Sequence, residues 1–329
     1  MARSMRGYFS RKLIYLAITI ILIMSFNFIL FRAMPGDPVQ MLFGKHHIDE
    51  NSTTYKQWNE KLGLDQPIYI QYIKYMAVTF SGDLGTSYGY LTGVKIVDIL
   101  PTYIGKTIFL SGVGTVLAIL VGIIYGREAA WRKGKLFDKV ATTTGVILYS
   151  VPTFLFALLY IMIFAKIIPD WPFAGSESIN YQSLDAIGKF LDLAQHAVLP
   201  ILSLILESIA GFALIVRSSL IDVLTEDYIL TAEAKGLEGR DILKKHAMPN
   251  ALLPVVAVIA LNVGWIMGGT VMIEYIFTYK GLGYLAWEAV LTFDYQLLQA
   301  VFFIEILAVL VANFIADILN FYLDPRVKI

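Results

Sequence analysis

Two polar side chains stand where hydrocarbon would make them costly. Glu207 lies inside "LILESIAGF" and Asn262 inside "IALNVGW", each within a long apolar run. An ionisable group at such depth marks a solute path or is paired with another polar group. Glu207 therefore has two readings: it lines a pathway and meets a substrate amine, or it hydrogen-bonds a neighbouring helix in its protonated form. Asn262 carries the same pair of readings. No other spacing supports chemistry. There is no cysteine, and the four histidines, including the adjacent His46 and His47, lack any metal-ligand spacing. "GKT" at Gly105–Thr107 lacks the leading glycine of a phosphate loop, position 100 being Leu. No apolar run offers the nucleophile and base of a membrane-embedded hydrolase. No catalytic residue, resident metal, cofactor or nucleic-acid partner is expected.

The elements around these residues are membrane spans. The 329 residues are 57% hydrophobic and only 16% charged, with a mean hydropathy of +0.66; soluble domains average about 45–50% apolar and about 25% charged. Six runs approach the roughly 20 apolar residues a crossing needs: Leu13–Phe31, Ile108–Tyr125, Ala141–Ala165, Ala197–Val216, Ala251–Ile273 and Leu297–Leu319. The first ends at Arg32 without a small-residue cleavage site, so it reads as a retained span. With the N-terminus inside, segments 1–12, 126–140, 217–250 and 320–329 hold 16 Lys/Arg, against 3 in the two short outer loops 166–196 and 274–296. Short-loop bias of this kind places both termini in the cytoplasm. Residues 32–103, rich in aromatics, form an ordered extracytoplasmic cap. Pro152 is expected to kink the third span, and Gly112, Gly114, Gly268 and Gly269 to let helices approach closely. Glu274 and Asp317, near helix ends, are read as interfacial anchors.

One inner segment is too polar and too long for a simple connection. "TAEAKGLEGRDILKKHAMPN" (231–250) carries seven charged residues and a histidine between two spans. A helical pattern runs from Arg217 to Lys235, with Leu220, Leu224, Tyr228 and Thr231 on one face. Gly236 is a natural stop, because glycine takes the left-handed conformation without penalty. A short helix restarts near Gly239, and Pro249 and Pro254 frame the return to the membrane. A solvated basic loop would satisfy the same charge rule.

The spacing Ala232, Gly236, Pro249 resembles the cytoplasmic E-A-A-x-x-x-G loop of ABC-importer permeases, with Leu230 and Thr231 replacing its first two residues. "DYILTAEAKGL" resembles the form of the oligopeptide, dipeptide and nickel permeases. "FRAMPGDPV", "SGDLGTSY", "LPTYIGKTIFL", "NALLPVV", "GGTVMIEYIF" and "GLGYLAWEAV" are similar to that family in the same order. A literal E-A-A-x-x-x-G at Glu128–Gly134 has Ile147 rather than Pro thirteen residues on, and reads as a solvated basic turn.

The resemblance implies an all-α integral membrane protein of six transmembrane helices, with the type I ABC-importer permease (MetI-like) fold and an extracytoplasmic cap. It divides into 1–31 (cytoplasmic N-terminus and first helix), 32–103 (cap), 104–321 (permease domain with coupling loop 217–250) and 322–329 (cytoplasmic tail). It implies a non-catalytic, pore-forming subunit of the inner membrane that imports oligopeptides or dipeptides. Oligosaccharides or nickel remain alternative cargoes, and a secondary transporter a distant one. Its partners would be a homologous second permease, two cytoplasmic ATPase subunits holding ATP and Mg, and an extracytoplasmic substrate-binding protein. The ATPase contacts would come from Ala232, Gly236, Leu237, Glu238, Gly239, Arg240 and Pro249. In this helix-in-groove contact the two glycines allow close approach, Leu237 anchors, and Glu238 and Arg240 form rim pairs.

Single cysteines placed in this cysteine-free chain at Ser4 and Ser52 are expected to label from opposite sides of the membrane. Labelling of Ser4→Cys by an impermeant reagent in intact cells would overturn the assignment.

Overall fold

A computed structural model describes residues 5–33, 36–43, 48–265 and 270–323. His46, His47, Gly268, Gly269 and the tail beyond 323 fall outside the described residues, as does the side chain of Asn262. The helices are α1 (Met5–Ala33), α2 (Pro38–Leu42), α3 (Thr53–Lys61), α4 (Ile68–Phe80), α5 (Ile96–Trp131), α6 (Leu136–Ser150), α7 (Thr153–Ile167), α8 (Ala186–Val223), α9 (Asp227–Ala234), α10 (Gly239–Asp241), α11 (Met248–Trp265), α12 (Val271–Ile276), α13 (Leu282–Leu291) and α14 (Tyr295–Leu323). Among the described residues the extended structure amounts to one antiparallel bridge, Thr86 with Lys95.

Among the described residues four helices are long and apolar enough to cross a membrane: Phe9–Ala33, Ile96–Trp131, Ala186–Val223 and Tyr295–Ile315. Leu22, Phe26 and Ile29 of α1 are more than half exposed, as suits a helix whose solvent is hydrocarbon. A fifth crossing counts only if α6 and α7 are taken together, and they meet at 97°. The expected kink at Pro152 is thus a full break: Val151 is extended, and Pro152 stands as the residue before α7. Each 15-residue arm reaches about 22 Å, short of the roughly 30 Å hydrocarbon thickness. The run Ala251–Ile273 is described only in pieces, as α11 and α12.

The chain forms two compact units. One comprises, among the described residues, those within Thr107–Tyr279 and 311–323. Its axis is α8, which packs against α6, α7, α11 and α12 around Leu110, Ala197, Phe212, Val216 and Ile273. The amphipathic stretch Ala186–Gln195 is continuous with the fourth span in a 38-residue α8. A Cβ on Gly122 would lie 2.6 Å from Phe212 Cβ, and one on Gly126 2.4 Å from the Ala213 oxygen. This glycine pair, spaced G-x-x-x-G, is what lets α5 touch α8. Of the expected contact glycines, Gly112 has open space and Gly114 ordinary van der Waals neighbours, while Gly268 and Gly269 lie outside the described residues. Glu274 is fully buried rather than interfacial. The Thr107 and Thr270 hydroxyls both donate to its Oε1 at 2.8 Å, which offsets part of the cost of burying a carboxyl.

The other unit comprises, among the described residues, those within 5–106 and Lys280–Leu310. Here α4 packs on α1: Ser25 Oγ meets the Tyr72 hydroxyl at 2.7 Å, and Asn27 Nδ2 donates to Tyr75 Oη (3.2 Å) and to the Gln299 carbonyl (3.1 Å). Asp294 organises the remainder. Its Oδ2 accepts Ser87 Oγ at 2.6 Å and the Tyr88, Gly89 and Tyr90 amides at 2.9, 2.9 and 3.3 Å. Its Oδ1 caps α14 by accepting the Leu297 amide at 3.1 Å. One carboxylate thus ties loop 87–90 to the start of a helix.

Asp294→Ala strips five donors of their acceptor and is expected to cost roughly 1–3 kcal/mol. Hydrogen exchange should report lost protection at Tyr88–Tyr90, with partial recovery in Asp294→Asn; unchanged protection in the alanine variant would refute the assignment.

Candidate functional site

The polar segment after α8 folds into a small lobe. α8 does not run on to Lys235 as the pattern suggests; it ends at Val223, and α9 restarts at Asp227. Thr225 Oγ1 donates to the Asp222 carbonyl at 2.7 Å, a local bond that competes with helix propagation. Glu226 is extended, and Asp227 opens the new helix, where a negative charge meets the positive end of the dipole. The chain reversal also splits the expected face: Leu220 is buried while Tyr228 is exposed.

Gly236 stops α9 as expected, with φ +77°. The Gly236 amide donates to the Glu233 carbonyl at 2.8 Å and the Leu237 amide to the Ala232 carbonyl at 3.3 Å, the paired bonds of a Schellman ending. α10 follows at Gly239. Residues Ile242–Ala247 form a π-helical turn that leads straight into α11. Pro249, without an amide hydrogen, clashes with the carbonyl four residues before it in a regular helix; the widened turn relieves that clash. Lys245 Nζ bonds Asp241 Oδ2 at 2.8 Å and holds the Asp241 carboxyl below its usual range.

The seven predicted contact residues separate by burial. Ala232 is buried with Ile229, Ile242 and Ala247 against Ala130, Leu220 and Ala251, so it seats the lobe on the ends of α5, α8 and α11. Gly236, Leu237, Glu238, Gly239, Arg240 and Pro249 are on the surface. A Cβ on Gly236 would meet nothing within 4 Å. Leu237 is 38% exposed, and Tyr228 and Leu230 beside α9 are exposed as well. Gly239 is close-packed, but within the chain: a Cβ there would lie 3.3 Å from Cη2 of Trp131.

Trp131 belongs to the other E-A-A-x-x-x-G match. The turn 132–135 is exposed, as expected of a basic turn, but Ala129 and Ala130 before it are buried. Gly134 has φ +80° and its amide donates to Asp138 Oδ2 at 2.9 Å. Asp138, buried at the start of α6, takes a two-pronged ion pair from Arg217 of α8: Nε to Oδ1 at 2.5 Å and Nη2 to Oδ2 at 2.9 Å. Thr142 Oγ1 adds a third donor at 3.3 Å. Trp131, Asp138 and Arg217 were not singled out from the sequence. The available signal was an aspartate four residues after a loop glycine, with a lone arginine at the matching end of a later span.

Glu207 is half-buried on α8 and makes no hydrogen bond or ion pair among the described residues. It lines neither the cavity of about 180 Å³ between α5, α6 and α8 nor the one of about 390 Å³ in the unit that holds α1 and α4. Asn262 sits on α11 with its side chain outside the described residues. Among the described residues no three His, Cys, Asp or Glu side chains gather as a metal site would require.

Residues 114–329 match the family described as "Binding-protein-dependent transport system inner membrane component", and residues 5–92 match its N-terminal counterpart, "Binding-prot-dependent transport system membrane comp, N-term". The chain is 34% identical to the oligopeptide transport system permease protein AppB of Bacillus subtilis (strain 168), over 96% of this chain and 95% of that one. It is 32% identical to the di/tripeptide transport system permease protein DppB of Pseudomonas aeruginosa (strain UCBPP-PA14), over 98% and 99%. The glutathione transport system permease protein GsiC of Escherichia coli O6:H1 is 29% identical over 98% and 99%.

Arg217→Ala leaves the Asp138 carboxylate buried without its counter-charge and is expected to destabilise the folded protein by about 3 kcal/mol. The double change Asp138→Leu with Arg217→Leu should recover most of that loss in denaturant unfolding. A single-variant cost near 0.5 kcal/mol, the level of an exposed pair, would contradict the pair's structural weight.

Proposed function

The chain belongs to the family of binding-protein-dependent transport system inner membrane components, and from that premise we propose that it is the pore-forming permease subunit of an ATP-driven importer of oligopeptides or dipeptides. The peptide class is supported by full-length similarity to permeases named for oligopeptides and di/tripeptides. In this reading the chain makes six crossings: the four long helices, the bent α6–α7 pair and the run Ala251–Ile273. Both termini are cytoplasmic, and residues 32–103 form an extracytoplasmic cap. The chain catalyses nothing itself. Two ATPase subunits bind ATP and Mg, a homologous second permease completes the pore, and an extracytoplasmic binding protein delivers the cargo. Glu207 and Asn262 are the pathway candidates.

The observation that carries this reading is the lobe at 227–249. A solvated connection has no reason to be packed, yet this one buries Ile229, Ala232, Ile242 and Ala247 against Ala130, Leu220 and Ala251 of the adjoining helices, and it turns Leu237, Leu230 and Tyr228 outward next to an unobstructed Gly236. A firmly seated element with outward apolar anchors and a charged rim suits a soluble partner with a groove. Closure of the ATPases would push on the lobe and switch the pore between outward- and inward-facing states.

Complexes reconstituted with their partner subunits provide the test, with ATP hydrolysis, ATPase binding and uptake of short peptides measured together. Leu237→Asp should weaken ATPase binding by on the order of 2 kcal/mol, the value of a buried leucine. Gly236→Val should uncouple uptake from hydrolysis, because a β-branched residue resists the left-handed turn by roughly 1–2 kcal/mol. Gly134→Val is a poor control, since Gly134 shares that left-handed geometry; Lys133→Ala, at the exposed turn, should be silent. Normal binding and coupling in both lobe variants would reduce the lobe to a solvated loop.

A further inference from the structure

The segment between α5 and α6 is fastened at both ends, and each fastening leads toward the lobe. At its start, Ala130 is 2% exposed and lies in the lobe's core beside Leu220, Ile229, Ala232 and Ile242. The next residue, Trp131, places its ring under Gly239: a Cβ on that glycine would be 3.3 Å from Cη2 and 3.4 Å from Cζ2. Its indole is the seat on which α10 rests, and glycine is the residue that lets the backbone settle there. At the far end Asp138 holds Arg217 by two hydrogen bonds, and Arg217 lies in the last turns of α8, just before the chain enters the lobe. Between the two fastenings, the turn 132–135 is exposed.

These contacts differ in what they can transmit. Trp131 is 43% exposed, but the part of its ring that faces the Gly239 backbone resists compression, because atoms already in contact repel steeply when pushed closer. A bidentate ion pair with low exposure resists separation and also fixes orientation. α5 and α6 are not neighbours of the lobe in sequence, so motion of the lobe would otherwise reach them only through their packing on α8.

Building on the coupling role given above to the lobe, we propose that Trp131 and Asp138 are positioning residues of a second transmission arm: the α5–α6 segment passes displacement of the lobe to α5 through Trp131 and to α6 through the Asp138–Arg217 pair. The element that superficially duplicates the docking motif thus works from the inner side of the lobe, as its seat, while the lobe's outer surface meets the ATPase.

The test uses the complete reconstituted complex. Trp131→Ala should assemble in normal yield and bind the ATPase subunits with unchanged affinity, yet transport about tenfold fewer peptides per ATP hydrolysed, within the usual span of coupling energies. Trp131→Phe, which keeps a flat ring, should restore most of that ratio, and Asp138→Asn should lower it without touching ATPase affinity. An unchanged ratio in Trp131→Ala overturns the proposal. So does a loss that only tracks weakened ATPase binding, which would make Trp131 a brace for the docking surface. Should Trp131→Ala fail to assemble, Asp138→Asn decides: a wild-type ratio in that variant overturns it. Failure of the docking reading is a separate result, seen as normal ATPase binding in Leu237→Asp.

Discussion

At Gly122 and Gly126 the backbone of α5 comes so near α8 that a methyl carbon would sit 2.6 Å from one α8 atom and 2.4 Å from another. In hydrocarbon there is no water to drive helices together, so association depends on surface contact of this closeness. That approach fixes where α5 ends. It brings Ala130 and Trp131 to the level of α8's last turns, where the lobe begins, and Asp138 within reach of Arg217. With any larger residue at either glycine the two helices would stand apart, and the lobe would lose both its floor and its tether.

Polar groups are treated with equal economy. Glu274 is enclosed with two threonine hydroxyls on one oxygen, and Asp294 absorbs a hydroxyl and three consecutive amides on another. Both carboxyls are interior fasteners of their own unit. Glu207 differs from them in having no bond among the described residues and partial exposure, which keeps it a candidate for contact with something outside this chain.

What could be read from sequence was whatever depended on a few adjacent residues. The left-handed stop at Gly236 was legible because glycine is the cheap occupant of that conformation and the helix before it had a clear pattern. Family membership was legible because many short strings recur in order. Helix ends were less so: α5 and α8 extend well beyond their apolar windows, since a helix needs no grease where it leaves the bilayer. Pro152 announced a bend but not 97°, because the angle depends on what the two arms pack against. The α5–α8 glycine pair was visible as a spacing, yet nothing nearby in the chain says which partner helix it meets. The Trp131–Gly239 contact was beyond reach for a plainer reason: over a hundred residues separate its halves, and neither half carries a mark of the other.

The length of α8 has a mechanical consequence. Its 38 residues make a rod of about 57 Å at 1.5 Å per residue, nearly twice the roughly 30 Å of hydrocarbon it must cross. A tilt of about 10° around its midpoint would swing each tip by about 5 Å, the rise of one helical turn, in opposite directions. The same small rotation that shifts the lobe would therefore carry loop 178–185 at the other tip an equal distance the other way, and a signal could cross the bilayer without any helix sliding along its own axis.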